Sequence, residues 1–311
     1  SYRLYKQGKA WVASLARYLI LIAFAYVLFY PFLFMAVNSI KNTADWLDPT
    51  VRWVPKEFTF DNFIAASQVL KYGTGIVSTL INGISSALIS FLSCAVVGYG
   101  LARFNFKGKN LLLGIMILQI LVPDPMLMVA SYNNFRHFDF LGILGQVSKL
   151  VGTDIRPNLI NSPFVFWLPA LVGTGLKNGL FIYIYMQFFK GLPKELEEAS
   201  WIDGAGPWQT FLRIVLPSSG AAAITVLVFA IVWYYNDYYQ SQLYLSDNYT
   251  ISVMLSNFKA NLSSGLSSEF TLSAGALLTA ASLMTIAPLL VYFLFMQRKF
   301  VQSIATCGIV G

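Results

Sequence analysis

The sequence has few residues of the kinds that catalyse reactions or bind metals. It contains two cysteines, Cys94 in an apolar run and Cys307 near the C-terminus, and one histidine, His137, in a polar segment. None of the three has neighbours at metal-ligand spacing, so we predict two free thiols and a surface histidine. The pattern G-x-x-x-x-G-K-[ST] is also missing. The chain therefore lacks a phosphate-binding loop with which to hydrolyse ATP itself.

Charged residues are scarce as well. They make up 11% of the 311 residues, against 57% hydrophobic residues, and the mean hydropathy is +0.62. One water-soluble core cannot hold so much apolar surface, so lipid is the predicted solvent. The net charge of +7 is spread in small clusters between apolar runs, which favours contact with anionic headgroups of a bilayer over nucleic acid. No internal repeat and no stretch long enough for a soluble domain is visible.

Long apolar runs dominate what is present. A helix needs about 20 apolar residues to cross a hydrocarbon core about 30 Å thick. Six stretches qualify, at residues 19–37, 76–101, 111–130, 163–189, 219–236 and 271–297. The first follows basic residues, as a secretory signal would, but its apolar run is too long for one and lacks a cleavage site. The sequence predicts an all-α polytopic membrane protein with six transmembrane helices.

The basic residues predict the orientation. Lys and Arg collect without acids in three places, with Arg3, Lys6, Lys9 and Arg17 before the first span, Arg103, Lys107 and Lys109 after the second, and Arg298 and Lys299 after the last. Such segments face the cytoplasm. We therefore predict a cytoplasmic N-terminal segment 1–18, a membrane domain 19–297 and a cytoplasmic C-terminal segment 298–311 in a cell membrane. The loop 190–217 then also lies on the cytoplasmic side.

That loop contains the polar sequence ELEEASWIDGAGPWQTFLRIVLP. Pro193 suits the first turn of a helix, and two closely spaced glycines, Gly204 and Gly206, predict a turn after it. Pro207 opens a second helix whose apolar side chains form one stripe, Trp208, Phe211, Leu212 and Val215. We predict a helix-turn-helix elbow with a polar tip, in which the acids Glu195, Glu197 and Glu198 face away from the apolar side chains Leu196, Ala199 and Ile202.

Four acids in one loop allow other interpretations. The loop is either merely solvated or holds a cation, but the acids lack the alternate-residue spacing of a calcium loop, and Lys190, Lys194 and Arg213 nearly balance their charge. A short amphipathic elbow is better suited to a groove on another protein.

Several positions of this loop resemble a known motif. Glu198-Ala199-Ser200, then Gly204, then Ile214 with Leu216-Pro217 have the spacing of the EAA loop of bacterial ABC-importer permeases, with Ser200 in place of the second alanine. The resemblance implies the type I ABC importer permease fold, in which this loop is the coupling helix that docks on an ATPase subunit. It implies that role for Glu198, Ala199, Ser200, Asp203 and Gly204. It also implies that this chain binds no cofactor and that ATP and Mg are bound by the partner ATPase.

Other segments resemble the maltose-type carbohydrate branch of these permeases. Gly98-Tyr99-Gly100-Leu101-Ala102-Arg103-Phe104 is similar to a cytoplasmic A-x-A-L-A-R-F pattern, with Gly98 and Gly100 at the alanine positions. Trp53-Val54-Pro55 resembles the first outer connection, and Trp233 with Asn236-Asp237-Tyr238 resembles W-N-D-F with two tyrosines interposed. The resemblance implies a carbohydrate cargo, an oligosaccharide, and three kinds of partner: a second permease forming a heterodimer, an ATPase dimer, and an extracellular solute-binding protein.

A transport pathway needs polar groups within the membrane, where ionisable residues are costly and usually functional. Our candidates are Asp124, Lys177, Asn178, Tyr235, Asn236 and Asp237. Each has an alternative role, because Lys177 can snorkel to an interface, Asp124 can cap a helix, and the tyrosines can belong to an interfacial aromatic belt. Two other functions also stay open, the same permease role for a non-sugar solute and an ion-coupled secondary transporter.

Overall fold

The structure, a computed structural model, describes residues 2–139, 142–265 and 272–307. Within these ranges the regular structure is helical, and extended pairing is limited to one antiparallel bridge between Lys41 and Phe58. The fold is therefore all-α, as predicted. Thr271, where the predicted sixth span begins, and the last four residues of the predicted segment 298–311 lie outside the described residues.

The helices follow one another along the chain with short connections. The first nine are α1 Tyr2–Ser39, α2 Thr43–Leu47, α3 Asp61–Val69, α4 Tyr72–Ser78, α5 Ser85–Arg103, α6 Lys109–Leu121, α7 Asp124–Arg136, α8 Ile143–Val151 and α9 Phe164–Leu171. The next nine are α10 Asn178–Gly191, α11 Glu195–Ile202, α12 Pro207–Thr210, α13 Leu216–Ser218, α14 Gly220–Tyr235, α15 Tyr239–Tyr244, α16 Ile251–Ser256, α17 Phe258–Gly265 and α18 Ala274–Cys307. Two π-helical turns, Thr79–Ile84 and Phe211–Val215, join α4 to α5 and α12 to α13 without a break.

Three of the six predicted spans are continuous helices of membrane length. They are Ser14–Ser39, Tyr72–Arg103 and Ala274–Gln302. In the first of them, no residue of the most apolar 18-residue stretch is buried inside the protein. Two further spans are possible among the described residues if bent helix pairs are counted. Helices α6 and α7 meet at 110°, and the segment Pro207–Ser218 meets α14 at 80°.

The bends have a local cause. The predicted span 111–130 is interrupted at Pro123, whose ring removes a backbone donor, and α7 restarts at Asp124. The predicted span 163–189 is divided between α9 and α10, because Gly173 and Lys177 both take left-handed backbone angles, φ 77° and 59°. Neither half reaches membrane length, so this crossing is two short helices and not one.

The chain divides into two compact units, Ser1–Lys71 with Asn257–Ala287, and Tyr72–Ser256 with Pro288–Gly311. In the first unit, the segment between α1 and α3 is tied down by buried polar groups. Lys41 Nζ donates to the carbonyls of Val51 and Arg52 at 2.9 and 3.0 Å. Asp45 accepts from the backbone of Lys56 at 2.7 Å. These bonds tie the non-helical stretch between α2 and α3 to α2 and to the end of α1.

The second unit has its core between α5, α10 and α14. Its largest fully buried side chains include Phe181, Tyr185, Phe189 and Phe211. Tyr185 and Phe189 are stacked one helical turn apart with ring centroids 5.7 Å from each other. This aromatic core fixes α5 against α10, the helix that leads into the elbow.

Candidate functional site

The elbow is a helix, a tight turn and a second helix. Helix α11 ends in a Schellman motif, in which Ala205 N donates to Ser200 O and Gly204 N donates to Trp201 O, both at 3.0 Å. Gly204 occupies the left-handed position with φ 82°. The next helix, α12, begins with Pro207 in its first turn. The turn predicted at Gly204 is present, and the backbone conformation there suits glycine.

A hydrogen bond closes the elbow from inside. Ser200 Oγ and Thr210 Oγ1 are 2.8 Å apart and both residues are buried. Thr210 Oγ1 also donates to Gly206 O at 3.1 Å. Ser200, which stands where the EAA pattern has alanine, therefore links α11 to α12.

The tip of the elbow is more apolar than predicted. Trp201, Ile202 and Trp208 are 48%, 86% and 59% exposed, beside the exposed acids Glu198 and Asp203. The predicted stripe is also divided, since Phe211 and Val215 are buried while Trp208 and Leu212 are exposed. The π-helical turn Phe211–Val215 shifts the register, so one stripe cannot stay on a single face. The exposed apolar side chains form a surface of the kind that a binding partner covers.

Glu197 does not face solvent with its neighbours, contrary to the prediction. Its Oε1 lies 2.6 Å from Arg103 Nε at the end of α5, and both side chains are under 10% exposed. Tyr99 donates its O–H to Glu197 Oε2 at 3.1 Å. The contact between Arg103 Nε and Glu197 Oε1 is an electrostatic one, because neither atom makes a hydrogen bond of good geometry.

Sequence reasoning missed this cluster of Tyr99, Arg103 and Glu197, although a signal was present. In a helix, residues three apart share a face. Glu197 therefore points to the same side as Ser200, the small buried residue. Arg103 lies in a basic connection without any acid of its own.

A shallow cavity of about 260 Å³ lies on the elbow. Three of the predicted coupling residues, Ser200, Asp203 and Gly204, line it together with Gln209 and Arg213. Among residues 2–139, 142–265 and 272–307, no three His, Cys, Asp or Glu side chains gather as a metal site would require.

Two predicted pathway residues form an ion pair. Lys177 Nζ lies 3.0 Å from Asp124 Oδ2, with the side chains 43% and 33% exposed. Asp124 is the first residue of α7 after the 110° bend, and Lys177 precedes α10 at its left-handed position. The two interrupted spans are thus joined by opposite charges at their breaks.

Asn178, next to Lys177, is fully buried and donates to Ala170 O at 3.3 Å. The nearby Tyr234, which was not among the six pathway candidates, has its O–H 2.9 Å from Ser90 Oγ and accepts from Leu176 N at 3.0 Å. Tyr234 thereby satisfies the backbone of the break before α10. Its place directly before the predicted Tyr235 was the only signal for it.

The other candidates lie at the end of α14. Tyr235 is buried, whereas Asn236 is exposed and donates to Val232 O at 2.9 Å. Asp237 caps α15 by accepting from the N and Oγ of Ser241, both at 2.8 Å. Desolvation raises the pKa of the Asp237 carboxyl, and the charge of Asp124 acts in the same direction.

A separate cavity of about 370 Å³ lies beside the π-helical turn Thr79–Ile84. Its walls carry neutral polar groups, among them Ser78, Asn82, Asn161 and Asn248. None of the six predicted pathway residues lines it. The pathway candidates and this cavity are distinct features of the second unit.

Comparison with known proteins gives a consistent result. Residues 94–305 match the family model described as "Binding-protein-dependent transport system inner membrane component". The chain is 25% identical to the "Trehalose transport system permease protein SugB" of Mycobacterium tuberculosis, over 90% of this chain and 92% of that protein. It is also 25% identical to the "Arabinooligosaccharides transport system permease protein AraQ" of Halalkalibacterium halodurans, over 94% of this chain and 96% of that one.

Solved structures with the same fold come from a bacterial ABC transporter that imports the acidic polysaccharide alginate. One superposes with a TM-score of 0.70 at 16% identity, covering 93% of this chain and 96% of that chain. Another, in complex with an alginate pentasaccharide-bound periplasmic protein, superposes with a TM-score of 0.60 at 18% identity, covering 92% of both chains. At these identities the likeness concerns the fold alone.

Proposed function

The chain belongs to the family of inner membrane components of binding-protein-dependent transport systems, and from this premise we propose that it is one of two permease subunits of an ATP-driven carbohydrate importer. It is a transport subunit and not an enzyme. Within the membrane it pairs with a second permease, and both of its termini face the cytoplasm.

The carbohydrate cargo rests on one observation. Proteins that align with 90% and 94% of this chain are named for the transport of trehalose and of arabino-oligosaccharides. Alignments of 284 and 302 residues extend over most of the chain, and therefore over most of the second unit, which contains the pathway candidates. The cargo we propose is therefore a sugar, and an oligosaccharide above all. An extracellular solute-binding protein delivers it, in keeping with the family description.

The elbow is the proposed docking site for an ATPase dimer. Glu198, Ala199, Asp203 and Gly204 are exposed at its tip, beside Trp201 and Ile202. Ser200 holds the elbow closed from within. The ATPase binds ATP and Mg, because this chain has no phosphate-binding loop of its own. Closure of the ATPase dimer would move the elbow and switch the pathway between inward- and outward-facing states.

The proposed pathway passes the breaks in the interrupted spans. The charges of Asp124 and Lys177 lie at these breaks, and Asn178 is buried next to Lys177. Tyr235, Asn236 and Asp237 follow at the end of α14. Non-helical backbone at membrane depth is tolerated where it lines a cavity or is buried in protein. Hydroxyl-rich sugars pair with amide and carboxylate groups of this kind.

The test begins with a tagged chain purified in mild detergent from its native membrane. Mass spectrometry should identify a P-loop ATPase, a second permease and a sugar-binding protein in the same complex. The complex is then placed in liposomes, where uptake of radiolabelled trehalose and of an arabino-oligosaccharide should require ATP and the binding protein.

Two outcomes would count against the proposal. A chain that purifies alone and transports solute along an ion gradient without ATP would be a secondary transporter. An ATP-dependent complex whose uptake is competed by amino acids or phosphate, and not by sugars, would keep the importer but change its cargo.

A further inference from the structure

The elbow contains one acid that cannot meet a docking partner. Glu195 and Glu198 are exposed, whereas the side chain of Glu197 between them is only 7% exposed. It points toward the protein, where its Oε1 lies 2.6 Å from Arg103 Nε. Arg103 is the last residue of α5. A buried ion pair thus joins the elbow to the end of a membrane-spanning helix.

Two further groups extend this pair into a network. Arg103 donates from Nη2 to the carbonyl of Leu192, in the connection that leads into α11, at 2.8 Å. Tyr99 donates to Glu197 Oε2 at 3.1 Å, and its ring lies 5.0 Å from the ring of Phe211. One cluster therefore contacts the entry of the elbow, its first helix, its second helical segment and α5.

The energetics make this contact hard to separate. Removing one partner of a buried ion pair leaves an uncompensated charge, which costs far more than losing an exposed pair. Any displacement of α11 without Arg103 would leave the charges of Glu197 and Arg103 unpaired in apolar surroundings. Movement of the elbow is therefore passed to α5 and is not absorbed by the connection between them.

We propose that the Arg103–Glu197 pair is the link that transmits movement of the elbow to the membrane helix α5. The inference rests on the proposed function, because it assumes that the elbow is moved by an ATPase. Arg103 and Glu197 are positioning residues in it and touch neither nucleotide nor cargo. Docking belongs to Glu198, Ala199, Asp203 and Gly204, exposed at the tip of the elbow, so docking and transmission are carried by different side chains.

The test uses the reconstituted complex and the substitution Glu197→Gln, with Glu195→Gln on the exposed face of α11 as the matched control. Three quantities are measured: co-purification of the ATPase, the rate of ATP hydrolysis, and the amount of sugar taken up per ATP. We expect Glu197→Gln to keep the first two and to lower uptake per ATP about tenfold, a common size for coupling between two sites. The control should behave as wild type in all three.

A charge exchange and a milder variant cover the case in which Glu197→Gln fails to assemble. The double exchange Arg103→Glu with Glu197→Arg should restore part of the uptake per ATP that either single reversal loses. Tyr99→Phe keeps the ring packing and removes only the O–H bond to Glu197, so it should assemble and be partly uncoupled.

A distance measurement checks the link without altering it. Spin labels at the exposed positions Asn105 and Glu195 report the separation of the α5 end from α11. The distance should be the same in the nucleotide-free and ATP-bound complex, while the distance from α11 to the second permease changes. A separation that changes with nucleotide would overturn the link, as would Glu197→Gln and Tyr99→Phe variants that both couple normally. A wild-type complex without ATP-driven uptake would instead contradict the proposed function.

Discussion

Gly98 in α5 lies directly against Tyr185 in α10. A Cβ atom on Gly98 would come within 2.7 Å of Tyr185 Cβ and within 3.1 Å of the backbone of Ile182 and Met186. Helices α5 and α10 can therefore approach this closely at Gly98 only because residue 98 has no side chain. The A-x-A-L-A-R-F resemblance places alanine at this position, and the close approach explains why this chain cannot accept it.

This contact predicts opposite effects for two glycines of the same helix. Gly98→Ala should destabilise the protein by about 1–3 kcal/mol, because the added methyl group overpacks the helix contact. Gly100→Ala meets nothing within 4 Å, and it should stabilise by about 0.5–1 kcal/mol through helix propensity. Thermal unfolding of the two purified variants measures both effects. Equal melting temperatures would contradict the packing.

The turn of the elbow depends on Gly204. Its φ of 82° is left-handed, so Gly204→Ala should cost about 1 kcal/mol and loosen the Schellman motif. Gly191→Ala is the control, since Gly191 is helical and open to solvent. We expect only the first variant to co-purify less ATPase. Full retention of the ATPase by Gly204→Ala would show that docking tolerates a distorted turn.

The Ser200–Thr210 hydrogen bond holds the two sides of the elbow together. Thr210→Val removes this bond and the bond to Gly206 while keeping the shape of the side chain. It should lower stability by about 1–3 kcal/mol, because it leaves buried polar groups unpaired. Ser200→Ala, which restores the EAA pattern, should cost less, since Thr210 keeps its bond to Gly206. Denaturation of the two variants in parallel ranks them, and the reverse order would contradict this account.

The Lys177–Asp124 pair predicts non-additive effects. Lys177→Gln or Asp124→Asn alone leaves one charge without its partner, whereas the double substitution removes both. With side chains 43% and 33% exposed, the coupling should be modest, about 1 kcal/mol or less. A double-mutant cycle on the melting temperature of the complex measures it. Strictly additive effects would mean that the two charges do not interact in the protein.

Asp237 predicts a dependence of stability on pH. Desolvation raises the pKa of its carboxyl above the ordinary value of 3.8 in the folded protein. As the pH rises, the Asp237 carboxyl therefore ionises at a lower pH in the unfolded chain than in the folded one. Stability linked to this group is highest at low pH and decreases from about pH 3.8 upward, until the folded carboxyl has ionised too. Asp237→Asn keeps an acceptor for Ser241 and should remove this decrease. Melting temperatures from pH 4 to 8 give the comparison, and an unchanged slope would contradict it.

Much of the fold follows from local properties of the sequence. Apolar runs of membrane length, prolines and glycine pairs act on their own neighbours, so the all-α membrane class and the turn at Gly204 could be predicted. The EAA spacing predicted the family for the same reason, because it lies within about twenty consecutive residues. These features need no information about distant parts of the chain.

Only the tertiary structure decided which residues meet. Glu197 faces Arg103, 94 positions earlier, and not solvent, because burial beside Tyr99 is set by how α5 and the elbow pack. In the same way Lys177 meets Asp124 only because two spans are interrupted at matching places. Helical periodicity predicts the face of a side chain but not what covers that face. The sequence by itself therefore determined the class of the protein, the lipid solvent and the elbow, while the two ion pairs required the packing of distant helices.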